Sequence, residues 1–475
     1  MSKFLRALLC LAACVGRAQD LPTLPDGDRW MRHLTQELLP FWDMPSALGD
    51  PVGNFPSTRC DDGSTLDFQK PCPEIRGNYY LLTPVRYLVS VSRQTYGYGV
   101  AFHLTGDPRY LAYMRAGVDY IRANAIDRSG GGMLTKQDLK TGKWGPAREF
   151  RNPQELGYGL LGMAFYYYLT RDPDILPDLV AGKRYIFDNY SNSSLGTLQW
   201  MLQSNGSSAY DQRQLVAALD QMNTYLVLLA PILPEPYASE WKQTASVNAY
   251  NIIQQFFSQK DQLFFLAANK PADLDLAQSG TDFGHNAKAL WMIRWTGLIT
   301  GDADLVRFAE DLGPKLFARA YLQDQGAWAE GLLPGGAIDR GKSWWIYAEL
   351  DQFAATLALK DSSLASYLPY TNNFYFDNFV DHTYGEVWTA LDGVTNQPLH
   401  GEPKQWPWKN AYHSFEHALV GYITSQALAG KPVVLHYAFQ ELPDMSQIRP
   451  YYFSGDVDGG FGVNGSWAFT FTGVR

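Results

Sequence analysis

HLTGDPRYL at residues 103–111, YLTRDPDIL at 168–176 and LITGDADLV at 298–306 share one layout: a helix end, a Thr, a short Asp turn and a new helix start. Their threonines, Thr105, Thr170 and Thr300, are separated by 65 and then 130 residues, which is one period and two. A period of that length requires further turns near residues 235, 365 and 430. Breaker clusters stand at each place: LPEPYASEW from Leu233, LKDSSLASYL from Leu359 and LAGKPVVL from Leu428.

Six helical hairpins of about 65 residues are too long for the usual solenoid repeats. They fit an all-α (α/α)6-type toroid barrel, in which inner helices line a funnel and loops at one end carry the chemistry. The expected organisation is a signal peptide over residues 1–18, an N-terminal arm or lid over 19–78 and the catalytic barrel over 79–475. The final YYFSGDVDGGFGVNGSWAFTFTGVR reads as loops and a short hairpin closing the barrel.

The chain has 475 residues, and a hydrophobic fraction of 46% is enough for a sizeable core. Its 14 Trp and 29 Tyr suit a carbohydrate site, because flat rings stack on the apolar faces of pyranoses, although a helical core also uses aromatics. A net charge of −9 argues against nucleic acid as a partner. Lys3 and Arg6 precede an apolar run from Ala7 to Val15, and Gly16-Arg17-Ala18 offers a cleavage site before Gln19, so export to a periplasm or beyond is expected. Leu11-Ala12-Ala13-Cys14 also matches a bacterial lipobox, which would instead leave a lipidated Cys14 and a membrane-tethered protein. Both processing routes remain open. Cys60 and Cys72, in a polar loop, are expected to form a disulfide in an oxidising compartment. Two thiols without a neighbouring His do not make a metal site, and no metal or cofactor is expected.

The chemistry is expected around TDFGHNAKALWMIRW, Thr281 to Trp295. Ala287, Leu290, Trp291 and Trp295 recur at helical spacing, which places His285 near a helix N-terminus. The helix dipole and an aromatic wall disfavour the imidazolium there and leave a neutral imidazole able to accept a proton. Other polar residues sit in aromatic segments at matching positions: Arg93; Asn223 and Tyr225; Arg340, Lys342, Trp344, Trp345, Tyr347 and Glu349; and Lys409, Tyr412, His413 and His417. Together they read as the floor of a funnel.

DFGHNAKALWM, KSWWIYAEL and WKNAYHSFEHAL, within residues 79–425, resemble the N-acylglucosamine 2-epimerase superfamily, which includes cellobiose 2-epimerases and aldose-ketose isomerases. The resemblance implies an (α/α)6 barrel, His285 and His413 as an acid/base pair, and Arg93 near the sugar ring. The site nevertheless departs from that pattern. MNTYLVLLAP has Tyr225, Val227 and Ala230 where the family carries two histidines and a glutamate, Lys288 stands where a carboxylate is expected, and Tyr347 replaces a Gln.

Those departures suit β-elimination of a 4-linked polyuronate. There the substrate carboxylate must be neutralised before the C5 proton is acidic enough to leave, and a His or Tyr takes it. Asn223, His285, Arg340 and Tyr347 resemble, in order, the set of polysaccharide lyase family 38, which acts on glucuronan and alginate. Either His285 or Tyr347 is the base in that reading. Lys288, Arg93 and Lys342 would bind substrate carboxylates, with Tyr225, Trp344, Trp345, Lys409 and Tyr412 completing the pocket. The expectation is therefore an exported lyase acting on an acidic polysaccharide, with a sugar 2-epimerase or isomerase using His285 and His413 as the alternative. A glycoside hydrolase would need two paired carboxylates, and nothing in the sequence pairs any of Glu349, Glu330, Asp282 and Glu416.

Overall fold

The computed structural model describes residues 22–202, 212–463 and 465–475. The signal segment 1–18 and Cys14 lie outside the described residues. Among the described residues, twelve helices form two concentric rings. The inner ring is α2 (Leu88–Thr105), α4 (Pro153–Thr170), α6 (Leu215–Gln221, continued by Met222–Leu226 and Val227–Leu229), α8 (Phe283–Thr300), α10 (Trp344–Ala358) and α12 (Ala411–Leu428). The outer ring is α1 (Gly27–Arg32, continued by His33–Leu38 and Leu39–Trp42), α3 (Pro108–Asn124), α5 (Leu176–Tyr190), α7 (Tyr237–Phe256), α9 (Ala303–Ala320) and α11 (Leu368–Asn378). Each inner helix packs on the next, and α12 returns to α2, so the toroid is closed.

Burial separates the two rings. Outer helix α9 buries Leu305, Ala309, Leu312, Leu316 and Phe317, one stripe at helical spacing, and wets the opposite face. Inner helix α4 is buried over nearly its whole length because it has neighbours on every side. The repeated Thr-Asp turns work as one device. Thr105, Thr170 and Thr300 donate their hydroxyls to the carbonyls of Ala101, Tyr166 and Thr296, one turn back. The chain then passes through the left-handed region at Gly106, Arg171 and Gly301. Asp107 and Asp302 cap the helices that begin there.

The turns expected near 235 and 365 separate α6 from α7 and α10 from α11, and the one near 430 ends α12. Among the described residues, no sixth hairpin follows that last turn. The chain enters β1 (Val433–Tyr437), β2 (Asp456–Val463) and β3 (Ser466–Thr472), an antiparallel sheet in the order β1-β3-β2. The vacant outer position is filled from the other end of the chain, by α1. The Trp30 ring lies so close to Gly421 of α12 that a Cβ there would sit 2.3 Å from it. Residues 27–42 are therefore barrel wall, and the excursion between α1 and α2 carries the Cys60–Cys72 disulfide. That excursion is tied to the loop before α12 by Arg59 Nε to Gln405 Oε1 (2.5 Å) and Lys404 N to Asp61 Oδ1 (2.8 Å). Among the described residues, no helix is long and apolar enough to cross a membrane.

Candidate active site

The inner helices point their N-terminal halves at a cavity of about 330 Å³, lined by Arg93, Gln154, Tyr158, Asp220, His285, Lys288, Ser343, Trp344, Trp345, Thr389, Ala390, Glu402, Trp406, Trp408 and His413. Its volume is within the range of small-molecule clefts, about 300–1,000 Å³.

His285 lies in the first turn of α8. Asp282, the N-cap of that helix, accepts from the His285 backbone N at 2.6 Å and lies 2.8 Å from His285 Nδ1. A carboxylate at Nδ1 fixes the proton on that nitrogen and leaves Nε2 with a free lone pair. Burial works to raise the Asp282 carboxyl, but the charge and hydrogen bonds of His285 outweigh it and hold the carboxyl below its ordinary value. Gly284 allows the close approach of α8 to α10: a Cβ there would meet Trp345 and Ile346 at 2.6 Å. Trp345 consequently lies edge-on to His285, with ring centroids 4.7 Å apart.

The same indole reaches a second histidine, with the His413 centroid 6.0 Å away. Burial, and then the charges of Arg93 and Lys288, hold the His413 imidazole well below its ordinary value, so it is neutral. Its Nδ1 faces Glu349 Oε1 at 3.5 Å. Behind it, Tyr451 donates to Glu416 Oε1 at 2.6 Å. Donor atoms of Glu349, His413 and Glu416 lie within 4.8 Å of one another, a spacing that a cation could also use. The Lys288 ammonium already faces both carboxyls, which makes the cluster a poorer cation site than its spacing suggests.

Arg93 stands over the Tyr158 ring at 3.8 Å and donates Nη1 to the Trp408 carbonyl at 2.5 Å. Lys288 is paired. Its ammonium donates to Asp220 and to the Tyr158 hydroxyl (3.0 Å), and Gln154 donates to the other Asp220 oxygen at 2.8 Å. Burial opposes the Lys288 charge, but the Asp220 carboxylate overcomes it and raises the ammonium above its ordinary value.

Thus Arg93, His285, Lys288, Trp344, Trp345 and His413 line one cavity, whereas the other expected site residues do not. Tyr347 faces outward from α10. Its hydroxyl donates to the Thr371 carbonyl (3.1 Å), and its ring stacks on Phe374 and Tyr375 of α11. Arg340 sits on an exposed loop, paired with Asp324 at 2.6 Å. Lys342 donates to the Arg340 carbonyl at 3.0 Å, and burial and the Arg340 charge lower its ammonium to about 8. Lys409 is buried behind Trp344 on Glu386 (2.7 Å), and Tyr225 turns to Gln221 and to Trp241 of α7. Asn223 and Tyr412 lie beneath the floor. In the amide orientation that satisfies its neighbours, Asn223 donates to Asp220 Oδ1 and accepts from Tyr412, both at 3.0 Å. Sequence reasoning passes over Asp282 as the partner of His285, although an Asp three residues before a helix-initial His is a capping signal. Asp220, Tyr158 and Gln154 give no such signal, since they meet Lys288 only through the fold.

No family model matches the chain. A cellobiose 2-epimerase from Bacteroides fragilis is 24% identical over 348 residues, 68% of this chain and 84% of that protein. Among solved structures, the cellobiose 2-epimerase of Bacillus thermoamylovorans B4167 superposes with a TM-score of 0.68 at 15% identity, covering 84% of this chain and 98% of its own. A D-mannose isomerase does so at 0.69 and 18%, covering 85% and 100%. The fold is thus the (α/α)6 barrel seen in those enzymes. These relatives are epimerases and isomerases, and with Asn223, Arg340 and Tyr347 dispersed they overturn the expected polyuronate lyase. The ammonium expected to bind an acidic polymer is instead neutralised by Asp220.

Proposed function

We propose that the protein is a carbohydrate epimerase or aldose-ketose isomerase that moves a proton at the carbon beside the carbonyl of a neutral open-chain sugar. The observation that carries this reading is the placement of His285 and His413 on the wall of one cavity, with the Trp345 indole in contact with both. The kinship with a cellobiose 2-epimerase supports it.

His285 Nε2 takes the C2 proton. The C–H electron pair becomes the C1–C2 double bond, and the carbonyl electrons move to O1, giving an enediolate. Arg93 is placed to stabilise that oxygen with a charged donor. For epimerisation, His413 gives its Nε2 proton to the opposite face of C2 as its Nδ1 takes one from the neighbouring Glu349 carboxyl, and the carbonyl re-forms. For isomerisation, a proton is delivered to C1 instead, the O2 proton passes to O1, and the carbonyl re-forms at C2. Solvent exchange then resets the two histidines. Trp344, Trp345, Trp406 and Trp408 supply flat apolar surface for pyranose faces. Export belongs to the same proposal: the N-terminal Lys3–Ala18 pattern and a Cys60–Cys72 disulfide suit an oxidising compartment.

The test is product analysis after incubation with mannose, glucose and cellobiose, with alginate and glucuronan in parallel. A C2 epimer or a 2-ketose from one of the neutral sugars is expected. Unsaturated uronide from a polyuronate, with the neutral sugars unchanged, would refute the proposal.

A further inference from the structure

The barrel beneath the cavity floor is stoppered by a segment that belongs to neither helix ring. Between β1 and β2 the chain turns inward at Tyr451, whose φ of +60° lies in the left-handed region. Tyr452 stacks on Trp295 and donates to the Asn223 carbonyl at 2.9 Å, which anchors the segment. The Tyr451 hydroxyl donates to Glu416 Oε1 at 2.6 Å and meets the Tyr96 hydroxyl at 2.9 Å. Its backbone N donates to the Tyr168 hydroxyl at 2.8 Å. The phenol therefore has one available orientation, toward the carboxyl pair behind His413.

We propose that Tyr451 is a positioning residue: by fixing Glu416 as a hydrogen-bond acceptor it leaves the proton of the Glu349–Glu416 pair on Glu349, facing His413 Nδ1, so that His413 presents Nε2–H to the cavity as the acid. This rests on the proposed function for its catalytic meaning. Two buried carboxyls this close do not both ionise, so one proton resides in the pair. Burial raises both. The Glu349 carboxyl goes well above its ordinary range, and Glu416, lowered first by the Tyr451 hydrogen bond and then by the Lys288 charge and hydrogen bonds from Gln352 and Tyr412, rises only to about 6. The separation of 3.5 Å between His413 Nδ1 and Glu349 Oε1 closes to a hydrogen bond with a small side-chain shift.

Opposite charge reaches the cluster from Lys288 on α8 and Arg93 on α2, and like charge from Asp220 on α6. The Lys409 ammonium and the His285 ring also face His413, and the phenols Tyr96, Tyr412 and Tyr452 face Glu416 and Tyr451. The two histidines are then in complementary states. Asp282 leaves His285 with a bare Nε2, whereas Glu349 leaves His413 with a protonated one.

The experiment is nitrogen NMR on protein carrying ¹⁵N-histidine, which reads the tautomer without any substrate, with the His413 signal identified from H413Q. Wild type is expected to show Nε2–H at His413. Y451F lets Glu416 take the proton, so Glu349 becomes the acceptor and His413 moves to the Nδ1–H tautomer, with kcat falling at least tenfold and KM little changed. E416Q, which relieves Glu349 of its neighbour's charge, is expected to act in the same direction and serves if Y451F does not fold. In an E349Q background the amide replaces the acid as donor, and adding Y451F should change neither tautomer nor rate further. An unchanged His413 tautomer in folded Y451F or E416Q overturns the proposal. A changed tautomer with no sugar turned over would instead count against the proposed function alone.

Discussion

Asp282 bears two loads at once, as the N-cap of α8 and as the partner of His285 Nδ1. Asp282→Asn retains an acceptor for the cap but can present an amide N–H to Nδ1, which favours the tautomer with its proton on Nε2. The expected outcome is a fall in kcat of roughly 10²–10⁴-fold with a near-normal KM, measured by steady-state kinetics on the sugar turned over. Lys288 makes a different case. Lys288→Met leaves the buried Asp220 carboxylate without its cation and is expected to cost about 3–5 kcal/mol of stability in denaturant melts. Asp220→Asn together with Lys288→Met should recover much of that loss. The pair also explains why a Lys fits where the resemblance led to the expectation of a carboxylate: Asp220, on the neighbouring inner helix, supplies the negative charge. From sequence alone Lys288 reads as a free ammonium, because nothing local announces a partner 68 residues away.

At the level of elements, local rules set how much of the fold is legible in the sequence. The Thr-Asp turns announce themselves because cap, left-handed residue and hydroxyl back-bond all lie within a few residues, and five of the hairpins can be read from them. The sixth outer helix is hidden, because α1 reaches α12 only by closure of the whole ring. Tyr347 is misread for a related reason. On α10 Trp345 lines the cavity and Glu349 faces His413 behind it, and Tyr347, lying between them in sequence, points to the opposite side of the helix. Docking of α1 carries its own test. Burial works to raise the Glu37 carboxyl, but hydrogen bonds and charge from His33 and Arg29 outweigh it and bring it from 4.5 down to about 2. A depressed carboxyl contributes stability that is present above its unfolded value and lost as pH falls through its folded one. Burial also lowers the His33 imidazole below its ordinary value, so acid acts on both partners in the same direction. The protein should therefore lose stability steadily as pH falls from about 4.5 toward 2. Glu37→Gln should be less stable at neutral pH and show a shallower acid limb in thermal melts.

As a whole molecule, the protein places its chemistry where the two ends of the chain meet the ring. The N-terminal run supplies a wall helix and the disulfide-bearing excursion, and the C-terminal segment closes the opposite end beneath His413. Between them the cavity is walled by tryptophans, and Lys288, Lys342 and Lys409 are each bound to protein acceptors. A cation that is already satisfied adds little to the recognition of an acidic polymer, and aromatic walls suit a neutral sugar. In this site His285 and His413 are proposed to move the C2 proton. The most direct test is to incubate the enzyme with mannose, glucose and cellobiose in D₂O and track the C2–H signal by proton NMR. Loss of that signal from at least one sugar with wild type, and its persistence with H285A and H413A, is the result expected. Wild-type enzyme that leaves C2–H intact in all three, or exchange that survives both substitutions, would contradict the account.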